Sequence, residues 1–158
     1  MTRLRMSEPR FLITCAGDGA DVDAILEMNR HPDFGGDEKV RWYLREEVEE
    51  WVRDRANNIV LIVYNYEEGS DKVERVGFLF AKRISCAWAY LDGLFVRPEY
   101  RGRNLGHSLL TTFENILRDR GAWYFSAVVA ADKERLVGWV RKFGCKSGGA
   151  HVWFEKEF

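Results

Sequence analysis

The sequence is poor in the residues that mark several classes of protein. It contains only three cysteines, three prolines and three histidines among 158 residues. The cysteines, Cys15, Cys86 and Cys145, are odd in number and far apart, so we predict neither a disulfide framework nor a metal site. The histidines also lack the spacing of metal ligands. We expect the cysteines to be small buried hydrophobic residues of a protein in a reducing cytoplasm.

The chain also lacks an excess of one charge and any long hydrophobic run. Its net charge of -1 argues against nucleic acid as the main partner. No apolar segment approaches the roughly 20 residues of a membrane span. Residues 1–10 contain three arginines without an apolar core after them, so we expect a flexible segment and not a secretory signal. The hydrophobic fraction of 46% predicts a single globular domain over residues 11–158.

Apolar patterning predicts an α+β fold built on one sheet. Strands are expected at Phe11–Ala16, where both faces should be buried, and at Ile59–Tyr64, Val76–Ala81, Tyr90–Val96, Trp123–Val129 and His151–Phe154. Helices are expected after a cap at Asp21, from about Asp37 to Arg55, after Asn104, and from about Lys133 to Phe143. A right-handed strand–helix–strand crossover should make the strands ending at Val96 and Val129 parallel within a mostly antiparallel sheet.

The chain is organised around the segment from Tyr90 to His107, which joins a strand, a loop rich in glycine and arginine, and a helix. An apolar stripe at helical spacing marks that helix, with members Leu105, Leu109, Leu110, Phe113, Ile116 and Leu117. Backbone N–H groups without partners and the positive end of the helix dipole meet at its start. We therefore predict an anion site suited to a phosphate or pyrophosphate.

The loop resembles motif A of the GCN5-related N-acetyltransferases (GNAT superfamily), written Arg/Gln-x-x-Gly-x-Gly/Ala. Arg101, Leu105 and Gly106 fit the motif, and Asn104 replaces the middle glycine as a residue that tolerates left-handed backbone. The resemblance implies a GNAT-like mixed sheet with a splayed parallel strand pair and helices on both faces. It also implies that acetyl-CoA is the co-substrate.

The resemblance also assigns cofactor-binding positions. The loop is expected to hold the pyrophosphate, and the backbone of the preceding strand is expected to pair with the pantetheine arm. A surface position remains an alternative for His107 and for Lys133, which occupies the Asn position of the family's second motif. The predicted cofactor-binding residues are Leu94, Phe95, Val96, Arg101, Gly102, Arg103, Asn104, Leu105, Gly106, His107 and Lys133.

Asp92 is the predicted catalytic residue. A carboxylate in the middle of a strand is disfavoured, and several family members have an acidic general base at the matching position. Burial is expected to make it a stronger base, as an ammonium substrate requires. The alternative is a structural carboxylate paired with Arg83 or Arg97. Gly93 beside it is either a β-bulge that parts the parallel strands or a packing point.

The family's second motif is incomplete, because Val140 stands where many members have the tyrosine proposed to protonate the thiolate. Ser126, Tyr90 and Tyr124 are candidate substitutes. The oxyanion is expected to be stabilised by a backbone N–H near Val96. The resemblance therefore leaves open which group is the general acid.

These observations predict an N-acetyltransferase that acts by direct attack of an amine in a ternary complex. Glu46, Glu47, Glu49 and Glu50 form either a solvated helix face or an acidic rim for a cationic amine, such as a polyamine or amino-sugar. The alternatives are a protein N-terminal or lysine acetyltransferase and a catalytically silent acyl-CoA sensor. The aromatic C-terminal segment leaves room for a homodimer through edge strands.

Overall fold

The computed structural model describes residues 10–35, 43–66 and 71–149, within which five strands and five helices form. The strands are β1 (Arg10–Cys15), β2 (Asn58–Tyr66), β3 (Val73–Arg83), β4 (Trp88–Val96) and β5 (Tyr124–Ala127). The helices are α1 (Gly19–Asn29), α2 (Pro32–Gly35), α3 (Arg45–Arg53), α4 (Leu105–Asp119) and α5 (Glu134–Lys142). No helix in these ranges is long and apolar enough to cross a membrane.

The chain divides into two compact units, Met1–Ala127 and Val128–Phe158. The sheet and helices α1 to α4 belong to the first unit, and α5 belongs to the second. The strand expected at 151–154 and nearly all of the segment 1–10 lie outside the described residues. The single domain over residues 11–158 and the flexible N-terminal segment therefore stay predictions.

The sheet has the order β1-β2-β3-β4-β5, with antiparallel pairing up to β4 and a parallel β4–β5 pair. The predicted mixed α+β sheet is therefore confirmed. Its parallel pair arises because α4 carries the chain back to the start of the neighbouring strand. The expectation that β1 is buried on both faces is wrong, since β1 is an edge strand whose Leu12 is 48% exposed.

Helices cover both faces of the sheet, as the resemblance implied. On one face, α1 and α3 pack against Ile62, Phe78 and Phe80 in one buried cluster. The residues that alternate with these, such as Leu61 and Leu79, point to the other face. There α4 contributes its buried stripe of Leu109, Leu110, Phe113 and Leu117. Apolar burial on both faces explains why the central strands are almost continuously hydrophobic.

The start of α1 differs from the sequence prediction. Asp18 is the N-cap and accepts a hydrogen bond from the backbone N–H of Asp21 at 2.8 Å. Asp21 instead is almost fully buried, where it accepts hydrogen bonds from Arg75 Nε at 2.6 Å and from the Tyr64 hydroxyl at 2.7 Å. The Gly17 N–H completes its set of donors at 2.8 Å. Asp21 thus anchors α1 to β2 and β3.

Two further sequence predictions are corrected. The second helix was expected from Asp37, but α3 begins at Arg45, after residues 36–42, which are not described. The cysteines were expected to be buried, but Cys15 and Cys86 are exposed and Cys145 is partly exposed. Cys15 ends an edge strand and Cys86 lies in the β3–β4 turn, so neither position is enclosed by the sheet.

We expect Asp21→Asn to lower the free energy of unfolding by about 2 kcal/mol, because Arg75 loses a charge-assisted hydrogen bond to a buried carboxylate and keeps only its contact with the exposed Asp18. Burial alone would raise the pKa of Asp21, but the Arg75, Gly17 and Tyr64 hydrogen bonds together lower that pKa. Its stabilisation is therefore complete above the usual value of about 3.9 and is lost as pH falls through the lower native value.

Urea unfolding of both proteins between pH 2 and pH 7 measures this effect. The difference in unfolding free energy should shrink below pH 4 or so as the native carboxyl protonates. Asp23→Asn is the matched control, because Asp23 lies in the same helix with its side chain 63% exposed. A constant difference across the pH range would contradict the assignment of the acid-sensitive contribution to Asp21.

Candidate active site

Asp92 lies on a β-bulge at the point where β4 and β5 part. Phe80 of β3 pairs with Gly93 and Ala81 pairs with Leu91, so Asp92 is an extra residue in β4. The pairing of β4 with β5 ends at the same place, with Leu91 opposite Ala127. From Asp92 to Val96, β4 continues beyond the end of β5. The interpretation of Gly93 as part of a bulge is thus confirmed.

The surroundings of Asp92 differ from what the sequence suggested. Its side chain is exposed, so the expectation that Asp92 is buried is wrong. It also does not pair with either arginine proposed as a structural partner, because Arg83 Nε donates to the Ser85 carbonyl and Arg97 pairs with Glu27. Its partner is Tyr43, whose hydroxyl donates to Asp92 Oδ2 at 2.8 Å.

Tyr43 is the residue of this site that the sequence did not reveal. It is only 9% exposed, and its ring makes edge contacts with Phe34, Trp51 and Phe80. Burial, the charge of Asp92 and the hydrogen bond to Asp92 raise the pKa of Tyr43 far above its usual value. Tyr43 lies within the helix predicted from Asp37 to Arg55, on the side that carries apolar residues such as Val48 and Trp51, and nothing local links it to a carboxylate 49 positions away.

Hydroxyl groups flank the parting point on the same strands. Tyr90 is half-buried, and burial together with the charge of Asp92 raises its pKa. Ser126 lies opposite Tyr90 in β5, and its hydroxyl accepts a hydrogen bond from Trp88 Nε1 at 2.9 Å. Tyr124 is 49% exposed at the start of β5. These are the three hydroxyls that the sequence offered in place of the missing tyrosine.

The loop between β4 and α4 has the backbone form that an anion site requires. A 3₁₀ turn at Pro98–Tyr100 is followed by Gly102 with φ +76° and by Asn104 with φ 64°. Asn104 is the N-cap of α4 and makes no side-chain hydrogen bond to the first turn. Left-handed backbone at both positions turns the chain so that the first amides of α4, from Leu105 onward, lie at the end of the loop.

Arg101 makes three contacts with neighbouring elements. Its Nε donates to the Val96 carbonyl at 2.9 Å, and its Nη1 pairs with Asp33 Oδ2 at 2.8 Å. Its guanidinium carbon also lies 5.4 Å from the centre of the Phe95 ring. Arg101 therefore connects the end of β4 with helix α2.

The other charged groups of the loop face outward. The Arg103 guanidinium lies over the rings of Phe11 and Tyr100, at 6.0 and 5.7 Å. His107 is exposed in the first turn of α4. Cationic guanidinium groups, open glycine backbone and helix amides form a donor set suited to a pyrophosphate, so these residues fit the coenzyme A moiety that the motif implies.

The remaining predicted cofactor residues fall into two groups. Leu94, Phe95 and Val96 pair on one side with Leu79, Phe78 and Gly77 of β3, and their other edge lies past the end of β5. Lys133 is the N-cap of α5 in the second compact unit, which also contains Val140. The cofactor contact of Lys133 stays a prediction.

The acidic helix α3 is mostly a solvated face. Glu47 accepts a hydrogen bond from the Leu44 backbone N–H at 3.1 Å, and Glu49 lies 3.5 Å from Arg45. Glu46 and Glu50 are exposed. Glu47 is nevertheless close enough that its charge contributes to the raised pKa of Tyr43. One carboxylate of the run therefore acts on the Asp92 site.

Comparison with known proteins agrees with this geometry. The family model described as "Acetyltransferase (GNAT) family" matches residues 23–145. No curated protein matches the chain in sequence.

Solved structures share the fold at low sequence identity. AAC(6')-Iy in complex with the bisubstrate analog CoA-S-monomethyl-acetylneamine aligns with a TM-score of 0.71 at 13% identity, covering 94% of this chain and 99% of that one. AAC(6')-Ih, an aminoglycoside antibiotic 6'-N-acetyltransferase from Acinetobacter baumannii, aligns with a TM-score of 0.69 at 17% identity. The alignment covers 95% of this chain and 99% of that one. The ribosomal-protein-S18-alanine N-acetyltransferase from Escherichia coli aligns with a TM-score of 0.64 at 15% identity. The alignment covers 85% of this chain and 77% of that one.

The family match extends over most of the chain and includes both the β4 bulge and the loop that precedes α4. An acyltransferase activity with acetyl-CoA as the co-substrate follows from that membership, as the motif predicted. The chain belongs to the acetyltransferase (GNAT) family.

Proposed function

We propose that this protein transfers the acetyl group of acetyl-CoA to a primary amine of a small molecule, by direct attack in a ternary complex. The observation that carries the proposal is the exposed Asp92 carboxylate at the parting point of β4 and β5, held by Tyr43. An exposed carboxylate attracts an ammonium group and can pass the proton that it accepts to water.

The chain's residues divide the work between proton transfer and binding. Asp92 accepts a proton from the attacking amine, directly or through one water molecule. A backbone N–H near Val96 stabilises the negative charge that develops on the acyl oxygen. Acetyl-CoA, when bound, supplies the acyl group as an activated thioester. Tyr90, Tyr124 and Ser126 are the hydroxyls from which the departing thiolate can receive a proton.

The loop and the free side of β4 hold the co-substrate in this proposal. Backbone groups of Leu94, Phe95 and Val96 pair with its extended arm in the manner of an added strand. Arg101, Gly102, Arg103, Asn104, Leu105, Gly106 and His107 bind its phosphates, with Lys133 as a further contact. The left-handed backbone at Gly102 and Asn104 supports this assignment, because it leaves the helix start open to an anion.

The acceptor is proposed to be a polyamine or an amino-sugar. The exposed carboxylates Glu46, Glu50 and Asp92 favour a cation, and two structures of similar fold are aminoglycoside acetyltransferases. A protein N-terminus is the nearest competing acceptor, since the S18-alanine N-acetyltransferase also shares the fold. Residence in the cytoplasm and a homodimer stay predictions.

An acyl-CoA sensor without catalysis is the candidate from another class. It is favoured by Val140 at the usual tyrosine position and by Asn104 in the loop motif. A sensor would bind acetyl-CoA in calorimetry and release no free thiol with any member of an amine library. Turnover with one of these amines would exclude it.

We expect Asp92→Asn to lower kcat by about 10²- to 10⁴-fold, because the amide cannot accept the proton of the amine. Asparagine keeps the shape of the side chain and can still accept the Tyr43 hydrogen bond, so the acetyl-CoA Kd should change by less than about twofold. Thiol release gives kcat, and calorimetry gives Kd. Asp119→Asn, at the exposed end of α4, is the matched control. If the Asp92→Asn variant keeps full turnover, Asp92 is not the base.

We expect Arg101→Ala to weaken acetyl-CoA binding by about tenfold through loss of a charge-assisted hydrogen bond. Asp33→Asn should strengthen acetyl-CoA binding by up to about fivefold, because Asp33 competes with the phosphates for Arg101. An exposed ion pair of this kind contributes less than about 1 kcal/mol. Glu27→Gln is the control, since it removes the equivalent partner of Arg97. Calorimetry at two salt concentrations measures all three variants. Unchanged affinity in both the Arg101 and Asp33 variants would remove Arg101 from the phosphate site.

A further inference from the structure

We infer that Tyr43 is a positioning residue for this reaction, which fixes the orientation of the Asp92 carboxylate from inside the protein. The inference rests on the proposed role of Asp92 as the base. Its evidence is the contact between the two side chains, the packing that immobilises Tyr43, and the missing side chain at Gly93.

The ring of Tyr43 is fixed on several sides. Its centroid lies 4.9 Å from that of Trp51, 6.1 Å from that of Phe80 and 6.1 Å from that of Phe34. Trp51 is itself stacked on Phe80 at 3.9 Å. A ring enclosed in this way has one orientation available, so its hydroxyl occupies a defined point.

The backbone of Tyr43 is fixed as well. Its N–H donates to Asn29 Oδ1 at 2.8 Å, and Asn29 is fully buried at the end of α1. Tyr43 lies two residues before the first residue of α3. The side chain therefore extends from a segment held by α1 on one side and by α3 on the other.

Gly93 provides the space that the hydroxyl occupies. A Cβ atom at this position would lie 2.7 Å from Tyr43 Oη and 3.1 Å from Phe34 Cζ. Any other residue would force the tyrosine away from the strand. The bulge thus does two things at once: it turns Asp92 out of the ladder, and its glycine admits the hydroxyl that meets Asp92.

The hydrogen bond leaves the carboxylate ready for an amine. The Tyr43 hydroxyl occupies Oδ2, and Oδ1 has no hydrogen-bond partner among the residues that the structure describes. The amine proton passes to Asp92 and then to water, while Tyr43 keeps its own proton throughout. A fixed carboxylate reacts in one geometry, whereas a rotating one spends most of its time misaligned.

The test is Tyr43→Phe, which keeps the ring and removes only the donor. We expect kcat to fall by about 10- to 100-fold, as for loss of a hydrogen bond to a charged group. The loss should appear in kcat, with the KM for the amine changed by less than about twofold, because the lost hydrogen bond orients the reacting carboxylate. The acetyl-CoA Kd from calorimetry should change by less than about twofold.

The matched control is Tyr64→Phe, which removes the same kind of bond from a second tyrosine–carboxylate pair. The Tyr64 hydroxyl donates to Asp21 at 2.7 Å, on the opposite side of the sheet centre from β4. This variant should lower the thermal unfolding midpoint without lowering kcat. If both variants lose stability but only Tyr43→Phe loses turnover, the loss of turnover is not due to lower stability.

Gly93→Ala provides a second, independent variant. It should reproduce the loss of kcat by displacing the hydroxyl, and it should cost less when combined with Tyr43→Phe, because both changes act through one contact. Unchanged kcat in Tyr43→Phe, with turnover lost in Asp92→Asn, would overturn the inference and leave the proposed function standing. Unchanged turnover in both variants would overturn Asp92 as the base and the inference with it.

Discussion

Burying a tyrosine hydroxyl costs free energy unless an acceptor meets it, and in this protein Asp92 is the acceptor for Tyr43. That single bond explains several features of the site. The bulge places the exposed Asp92 carboxylate within reach of the buried hydroxyl, and the glycine that follows leaves room for that hydroxyl. The bulge also coincides with the end of the β5 ladder. Asp92 and Gly93 thus serve both the packing of Tyr43 and the proposed proton transfer.

Arginine–carboxylate pairs tie the first helices to the strands that carry the site. Arg75 pairs with Asp21 at the start of α1, Arg97 with Glu27 near its end, and Arg101 with Asp33 in α2. The first is almost buried and the last is exposed, so their contributions to stability should differ severalfold. Together they hold α1 and α2 against the ends of β3 and β4, on the face of the sheet that also holds Tyr43.

The parts of the site that were predictable are those set by backbone chemistry within a short segment. The glycine- and arginine-rich composition of residues 101–107 predicts the loop, the bulge was one of two alternatives for Gly93, and chain handedness determines the parallel pair. The partner of Asp92 could not be found in this way, because Tyr43 looks like any apolar residue of a helix stripe. The exposure of Leu12 likewise depends on strand order, which patterning alone does not give. Long-range pairing was the missing information in both cases.

The parting of β4 from β5 has a consequence for folding kinetics. The antiparallel β2–β3–β4 meander pairs strands that are close in sequence, whereas β5 joins only after the chain has passed through α4. Closing that longer loop costs more entropy for just four residue pairs, so topology favours docking of β5 as a late step. The side of β4 from Asp92 to Val96 that lacks a partner in β5 then lies at the boundary between an early and a late part of the fold.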